Sequence, residues 1–249
     1  MLTKEEIYKI AMEQSALELG CSRDDLLKGG IFTGVTHPRA RAYLKLPFEF
    51  QMVSYGENLV FTVREELRSV AEKFRREFPN YRAFEAPAIQ KLEALLAPHG
   101  LKPRHMAEYF LPDPALIPSL PCDYELRLLE QPDFKDLYLP AWGNALCADR
   151  SHLDVLGMGA YDNGRLIALA ACSADGPEMW QIGIDVLPEY RRRGLASALT
   201  ARLAAEILKR GKVPFYCAAW SNIASVRNAI RCGFRPAWVE ITAKPIQLD

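Results

Sequence analysis

One stretch constrains this chain more than any other: Ile184-Asp-Val-Leu-Pro-Glu-Tyr-Arg-Arg-Arg-Gly-Leu-Ala-Ser197. Met179 to Val186 reads as a strand, and Pro188, which lacks a backbone donor, leads out of it into a loop. Gly194 opens a helix that runs to Arg210, with Leu195, Leu199, Leu203 and Ile207 at i+4 spacing, and Gly211 ends it. A strand therefore passes through a short cationic loop into a long amphipathic helix. The first turn of such a helix presents unpaired N–H groups and the positive end of the dipole, which suits an anion. Gly194 lets the main chain approach a phosphate, Ala196 keeps the next approach small, and Arg191, Arg192 and Arg193 add positive charge. The implied ligand is a diphosphate held by backbone amides of Arg192 to Ser197, Leu195 among them.

The elements around this segment set the fold class. Tyr124–Leu129, Leu156–Tyr161, Arg165–Ser173, Met179–Val186, Val213–Ala219 and Ala237–Thr242 read as strands, with a tight turn at Asp162-Asn163-Gly164. Phe134 to Leu146 is loosely helical, broken by Pro140 and Gly143, and Ser225 to Arg231 is a short helix closed by Gly233. The pattern predicts an α/β (α+β) arrangement, a mixed, mostly antiparallel sheet flanked by helices.

The first half differs. Residues 4–19 are helical, with Thr3 and Glu6 as a capping box and Gly20 as the stop; Ser22 caps a second short helix. Phe48–Val53 and Asn58–Val63 are strands about Tyr55-Gly56, Arg64–Phe78 and Ala88–Ala97 are helices, and Arg104–Leu111 is a strand. Pro112, Pro114, Pro118 and Pro121 then mark a linker, so the expected domains are 1–120 and 121–249. Gly100-Leu-Lys-Pro103 and Gly233-Phe-Arg-Pro236 both join a helix to a strand. The first half is then either a smaller α/β domain that is a degenerate copy of the second, or an unrelated domain sharing a common junction.

Composition excludes several classes. Lys+Arg and Asp+Glu both total 31, which leaves no broad basic footprint for nucleic acid. The six cysteines form no C-x-x-C pair and no zinc-type cluster, so they read as reduced, mostly buried thiols, and no metal is expected. The early charged residues and the lack of a membrane-length apolar run point to a cytoplasmic protein. P-loop, H-E-x-x-H and G-x-S-x-G motifs are absent, and Gly157-x-Gly159 lacks the third glycine of a dinucleotide site.

Val186-x-Pro188-x-x-Arg191-x-x-Gly194-x-Ala196 resembles the acetyl-CoA signature of the GNAT superfamily of N-acetyltransferases. Trp220-Ser-Asn-Ile-Ala-Ser225 and Gly233-Phe234 resemble its second motif, and the likeness covers about residues 122–249. Singly, each feature has an ordinary structural reading: solvated arginines, a turn glycine, helix caps at Asn222 and Ser225. Jointly and in this order they have few structural reasons to arise.

The resemblance implies acetyl-CoA as cofactor, pantetheine contacts along the backbone from Ile184 to Val186, a hydrogen bond from Asn222 to the pantetheine arm and Ser225 close by. It implies direct attack of an amine on the thioester, and the expected acceptor is a primary amine of a small molecule. A catalytically silent acyl-CoA-binding regulatory module is the alternative. Many relatives carry a tyrosine acid four residues before Gly-Phe; here that residue is Ala229. Asp185 and Glu178 are the candidate bases, Cys217 the candidate acid, and Trp142, Cys147 and Asp149 candidate pocket residues, with His37 or Tyr55 able to contribute from the first half. No nucleic acid or membrane partner is expected, and a homodimer is admitted.

Overall fold

The computed structural model describes residues 2–246. In chain order the elements are α1 (Lys4–Leu19), α2 (Arg23–Lys28), β1 (Gly30–Thr33), β2 (Phe50–Ser54), β3 (Leu59–Val63), α3 (Arg68–Glu77), α4 (Ala86–Leu96) and β4 (Leu101–Pro112). They continue with β5 (Glu125–Glu130), β6 (Asp154–Asp162), β7 (Arg165–Ser173), β8 (Met179–Val186), α5 (Leu195–Lys209), β9 (Val213–Ala218), α6 (Ile223–Arg231) and β10 (Phe234–Pro245). The chain divides into two compact units, Met1–Ile10 with Phe110–Pro236, and Ala11–Tyr109 with Ala237–Asp249.

The boundary expected near residue 120 falls inside the first of these units. The prolines break regular structure there without ending the unit. The Leu116 carbonyl lies against Gly233, and the Asp113 N–H donates to the Gly233 carbonyl at 2.9 Å. From Ala237 onward the last strand belongs with the other unit, because β10 pairs antiparallel with β2, from Val239 opposite Ser54 to Ala243 opposite Phe50. Such a partner, nearly 200 residues away, leaves no local trace in sequence.

Local chemistry sets many element ends. The Thr3 hydroxyl accepts from the Glu6 N–H at 3.2 Å, and the Glu6 carboxylate accepts from the Thr3 N–H at 2.8 Å. Ser22 and Asp25 repeat this box ahead of α2. Asn163 and Gly164, at φ 49° and 81°, make the β6–β7 turn as the Asp-Asn-Gly run requires. The loosely helical stretch expected over 134–146 differs: it holds short 3-10 turns at Gln131–Phe134 and Pro140–Trp142. Pro140 supplies no N–H, and only a 3-10 turn of three residues forms there.

In the first unit the strands run β9-β8-β7-β6-β5. β5, β6, β7 and β8 pair antiparallel in succession, and β9 is parallel to β8. Helix α5 buries Leu195, Leu199, Leu203 and Ile207 against β6, β7 and β8, where Ala168, Ala170 and Ile182 meet them. Each fully buried leucine contributes roughly 1.5–3 kcal/mol relative to exposure. In the other unit the order is β1-β3-β2-β10-β4, over a core that includes Phe50, Phe61, Phe74, Leu92 and Ile241. That unit also buries Arg41, which bonds Glu18 at 2.6 Å and lies 3.6 Å from Glu240.

Two of the six thiols, Cys172 and Cys232, are buried, and the other four are half-exposed. The thiols are thus less buried as a set than the sequence suggests. Among the described residues no helix is long and apolar enough to cross a membrane.

Candidate functional site

β8 leads to the site and opens on one side. It pairs with β7 from Gln181 to Val186, Ala168 still facing Val186 at its end. On its other side it pairs with β9 only at Met179, Trp180 and Gln181, opposite Val213, Pro214 and Phe215. From Ile182 to Val186 that edge carries no β9 register, so the main chain can accept an added strand. Ile184, Asp185 and Val186 all lie on this segment. Cys217 sits two residues past the last paired position, and Gln181 donates its side-chain amide to the Cys217 sulfur at 3.3 Å.

Behind β8, Pro188–Tyr190 makes a 3-10 turn that is tied down on several sides. The Tyr190 hydroxyl donates to Asp162 at 2.8 Å, and Arg165 pairs with Glu189 at 2.9 Å. The Arg191 Nε donates to the Val186 carbonyl at 3.1 Å. Arg193 donates to the Tyr124 hydroxyl at 2.7 Å and stacks over the Tyr190 ring. Its side chain therefore holds the loop, and it does not line the cavity described next.

Arg192 and Gly194 both take positive φ, 63° and 80°. Alternating left-handed residues curl successive N–H groups toward one concave side, a form suited to anions. For Arg192 this conformation costs about 1–2 kcal/mol, an expense the tethered loop supports. At Gly194 an added Cβ would meet nothing within 4 Å, so the glycine answers to its φ and not to crowding in the protein. Gly194 accepts from the Ala198 N–H at 3.0 Å, which leaves the N–H groups of the first turn of α5 with no acceptor inside the helix.

These groups face a cavity of about 300 Å³. Val186, Arg191, Arg192 and the backbone from Gly194 to Ser197 form one wall, and Ala224, Arg227, Asn228 and Arg231 of α6 form the other. Four arginines and no carboxylate line it. Its floor is fixed by polar contacts: the Ser197 hydroxyl donates to Asn228 at 3.0 Å, and Asn228 donates to Thr200 at 3.1 Å. The Ser197 side chain is thus engaged inward, and its backbone N–H is the group left for a ligand.

Asn222 and Ser225 stand at the start of α6 and do not line the cavity. Asn222 caps the helix by accepting from the Ser225 N–H at 3.2 Å, and the Ser225 hydroxyl shares a 2.9 Å hydrogen bond with Tyr216. Tyr216 is buried, which raises its pKa above the ordinary value. Ala229 is fully buried in the core between α6 and the sheet.

The remaining candidates are spread apart. Both oxygens of Asp185 are occupied: they accept from the Asn144 N–H at 2.8 Å, the Asn144 amide at 2.6 Å and the Ala145 N–H at 2.9 Å. Asp185 is thus a clasp for the turn below β8. Glu178 precedes the far end of β8 and pairs with Lys212 at 3.4 Å. Trp142 is packed with Phe134, Leu146 and Leu169 as core. The Cys147 N–H donates to Asp154 at 3.0 Å, and Asp149 is exposed on the 3-10 turn Ala148–Leu153. His37 and Tyr55 lie in the other unit, where Tyr55 stacks on Trp238.

Arg227, Asn228 and Arg231 were not singled out from sequence. The available signal was their spacing, which places one helical face immediately after the Asn-x-x-Ser cap.

The strand pair β8–β9 thus parts beside a helix N-terminus lined by arginines, with an open strand edge next to a cationic cavity. A family model described as GNAT acetyltransferase matches residues 49–237, and the chain belongs to that family. The match begins at the start of β2, so it extends well before the region of the sequence likeness.

Among solved structures, a GCN5-related N-acetyltransferase-like protein from Streptococcus suis is similar over 95% of this chain and 100% of its own, at 17% identity and a TM-score of 0.50. A GNAT-family protein from Novosphingobium aromaticivorans is 24% identical over 58% of this chain and 66% of its own, with a TM-score of 0.47. An aminoglycoside N-acetyltransferase in complex with CoA is 20% identical over 47% of this chain and 93% of its own, with a TM-score of 0.37. No curated protein matches the chain. The Streptococcus suis likeness supports the mixed sheet flanked by helices; a degenerate repeat in the first half is not among what these likenesses establish.

Proposed function

We propose that this chain is an N-acetyltransferase that moves an acetyl group from acetyl-CoA to a primary amine of a small molecule. The observation that carries the reading is the four-arginine cavity at the first turn of α5, opening beside the unpaired edge of β8. The free amides of that turn, with Arg191 and Arg192, suit the diphosphate, because they offer fixed donors and positive charge with no carboxylate alongside. The Ile182–Val186 edge suits the amide-bearing pantetheine arm, which would join it as an extra strand.

In this scheme a neutral amine attacks the thioester carbonyl; a C–N bond forms, the C–S bond breaks, and the nitrogen gives up a proton. A backbone N–H near Val186 stabilises the charge that develops on the carbonyl oxygen. The thiolate of CoA is a tolerable leaving group and takes its proton from water or from Cys217, two residues past the last β9 position paired with β8. With Asp185 held by three donors, the amine proton passes to solvent or to a base supplied with the substrate.

A thermal-shift screen against acetyl-CoA and longer acyl-CoAs, followed by thiol release with a panel of amines, tests the proposal. Stabilisation by acetyl-CoA together with amine-dependent thiol release is the expected result. The buried Ala229, at the position of the usual tyrosine acid, favours the second reading of a silent acyl-CoA-binding module. Stabilisation by acetyl-CoA with no thiol release for any amine would select it.

A further inference from the structure

The open edge of β8 has a definite length and a closed end. Val186 lines the cationic cavity, and from there back to Ile182 the strand covers about 13 Å at the usual rise per residue. One position further, Gln181 is paired with Phe215, and the gap between β8 and β9 is shut. The pantetheine arm runs through about twelve bonds from its phosphate ester to its sulfur, equal to roughly four residues of main chain or about 14 Å when extended. An arm anchored in the cavity therefore brings its sulfur level with the point of closure, and whatever the sulfur carries meets that point next. Main-chain pairing bars the way in the plane of the sheet, so an acyl chain has to leave on one of its faces. Towards α5, Ile182, Tyr216 and Ala218 are buried in the core that contains Leu199, and extra methylenes there mean overpacking. The other face carries Gln181, Gly183 and Asp185 at alternate positions of β8. The Asn144 turn lies on Gly183 and Asp185, and the half-buried Gln181 reaches across to donate its amide to the Cys217 sulfur at 3.3 Å. That bond bridges the two strands where they meet.

We propose that the Gln181–Cys217 bridge is a chain-length stop that restricts the acyl donor to short thioesters, acetyl above all. This rests on the acetyl-CoA reading above and adds a specificity to it, carried by a side chain with no part in holding the diphosphate. An acetyl group places a single methyl beyond its carbonyl and ends short of the bridge. Each further methylene has to push the Gln181 side chain off Cys217 or enter the filled core under α5. Displacing Gln181 also breaks its hydrogen bond and sets its amide against apolar atoms, which adds to the cost.

Calorimetry with coenzyme A, acetyl-CoA, butyryl-CoA and hexanoyl-CoA tests the assignment on the wild type, Gln181→Ala and Cys217→Ala, each checked for folding by its thermal melt. Coenzyme A has no acyl group, so it reports the arm alone and serves as the reference for each protein. The wild type is expected to bind acetyl-CoA about tenfold or more tighter than hexanoyl-CoA, the low end of an overpacking cost. Gln181→Ala should bring that ratio to one or invert it, since each methylene that finds apolar room is worth about fourfold in affinity. Cys217→Ala should relax the ratio in part. Equal binding of acetyl-CoA and hexanoyl-CoA by the wild type, or a wild-type ratio in both variants, overturns the stop while leaving the acetyl-CoA reading intact. Failure of the wild type to bind coenzyme A or acetyl-CoA overturns both.

Discussion

Asn144 donates its main-chain N–H and its side-chain amide to the carboxylate of Asp185, at 2.8 and 2.6 Å, and its own carbonyl oxygen occupies the place a Cβ on Gly183 would need. The turn after Trp142 is thereby clamped to β8 at Gly183 and Asp185, within the open edge. A residue that looked like a base from its position is in this fold a fastener, and a glycine inside a strand is explained by close backbone approach.

Gly183→Ala should destabilise the protein by about 1–3 kcal/mol, because the turn at Asn144 must move away from β8. Denaturant unfolding would measure it. An unchanged midpoint would mean that the turn shifts freely and does not brace the strand.

For Asp185→Asn, one acceptor oxygen remains and the charge is lost. The expected cost is about 1–3 kcal/mol from weaker bonds to the Asn144 and Ala145 amides. The acid limb of kcat/KM against pH should stay where it is in the wild type. If that limb vanishes, Asp185 is the base after all.

Gly194→Glu places a carboxylate in the arginine-lined cavity and forces a non-glycine residue to φ 80°. The strain costs about 1–2 kcal/mol, so the protein should still fold. Acetyl-CoA binding should be lost in calorimetry; retained affinity would remove the first turn of α5 from the site.

Ala229→Tyr measures how much room the core leaves at this position. With Ala229 fully buried among Phe234, Tyr216 and Cys232, the expectation becomes overpacking worth about 1–3 kcal/mol. A melting temperature equal to wild type would show that α6 yields easily enough to admit the tyrosine.

Stability should fall as the solution becomes alkaline. Burial raises the Cys232 thiol from 9.0 to about 12, and also raises Tyr138 to about 12. The unfolded chain releases these protons first, so the contribution is complete below the unfolded values and drains away as pH rises toward 12. Denaturant midpoints taken from pH 8 to 11 should show the decline, and Cys232→Ala should make it shallower, with Tyr138 still contributing. A variant that follows the wild-type curve would assign the alkaline loss to other groups.

Much of the local structure was readable. The Thr3–Glu6 and Ser22–Asp25 boxes, the Asp-Asn-Gly turn and the start of α5 at Gly194 each depend on residues within about one turn of each other, so their chemistry is contained in short segments. The core stripe of α5 was equally plain. The stretch 134–146, loosely helical by sequence and broken at Pro140 and Gly143, forms no α-helix, because Pro140 allows only a short 3-10 turn.

The sequence by itself determined that a strand enters an arginine-rich loop and a helix whose first amides are free, because strand propensity, proline, glycine and i+4 periodicity all act between near neighbours. Tertiary structure alone decided that β10 pairs with β2, that β8 and β9 part after Gln181, that Asp185 is tied to Asn144, and that Arg227 and Arg231 face Arg191 and Arg192 across one cavity. Those facts depend on contacts between residues far apart in the chain, whose partners are selected by packing of the whole unit and not by any neighbouring residue.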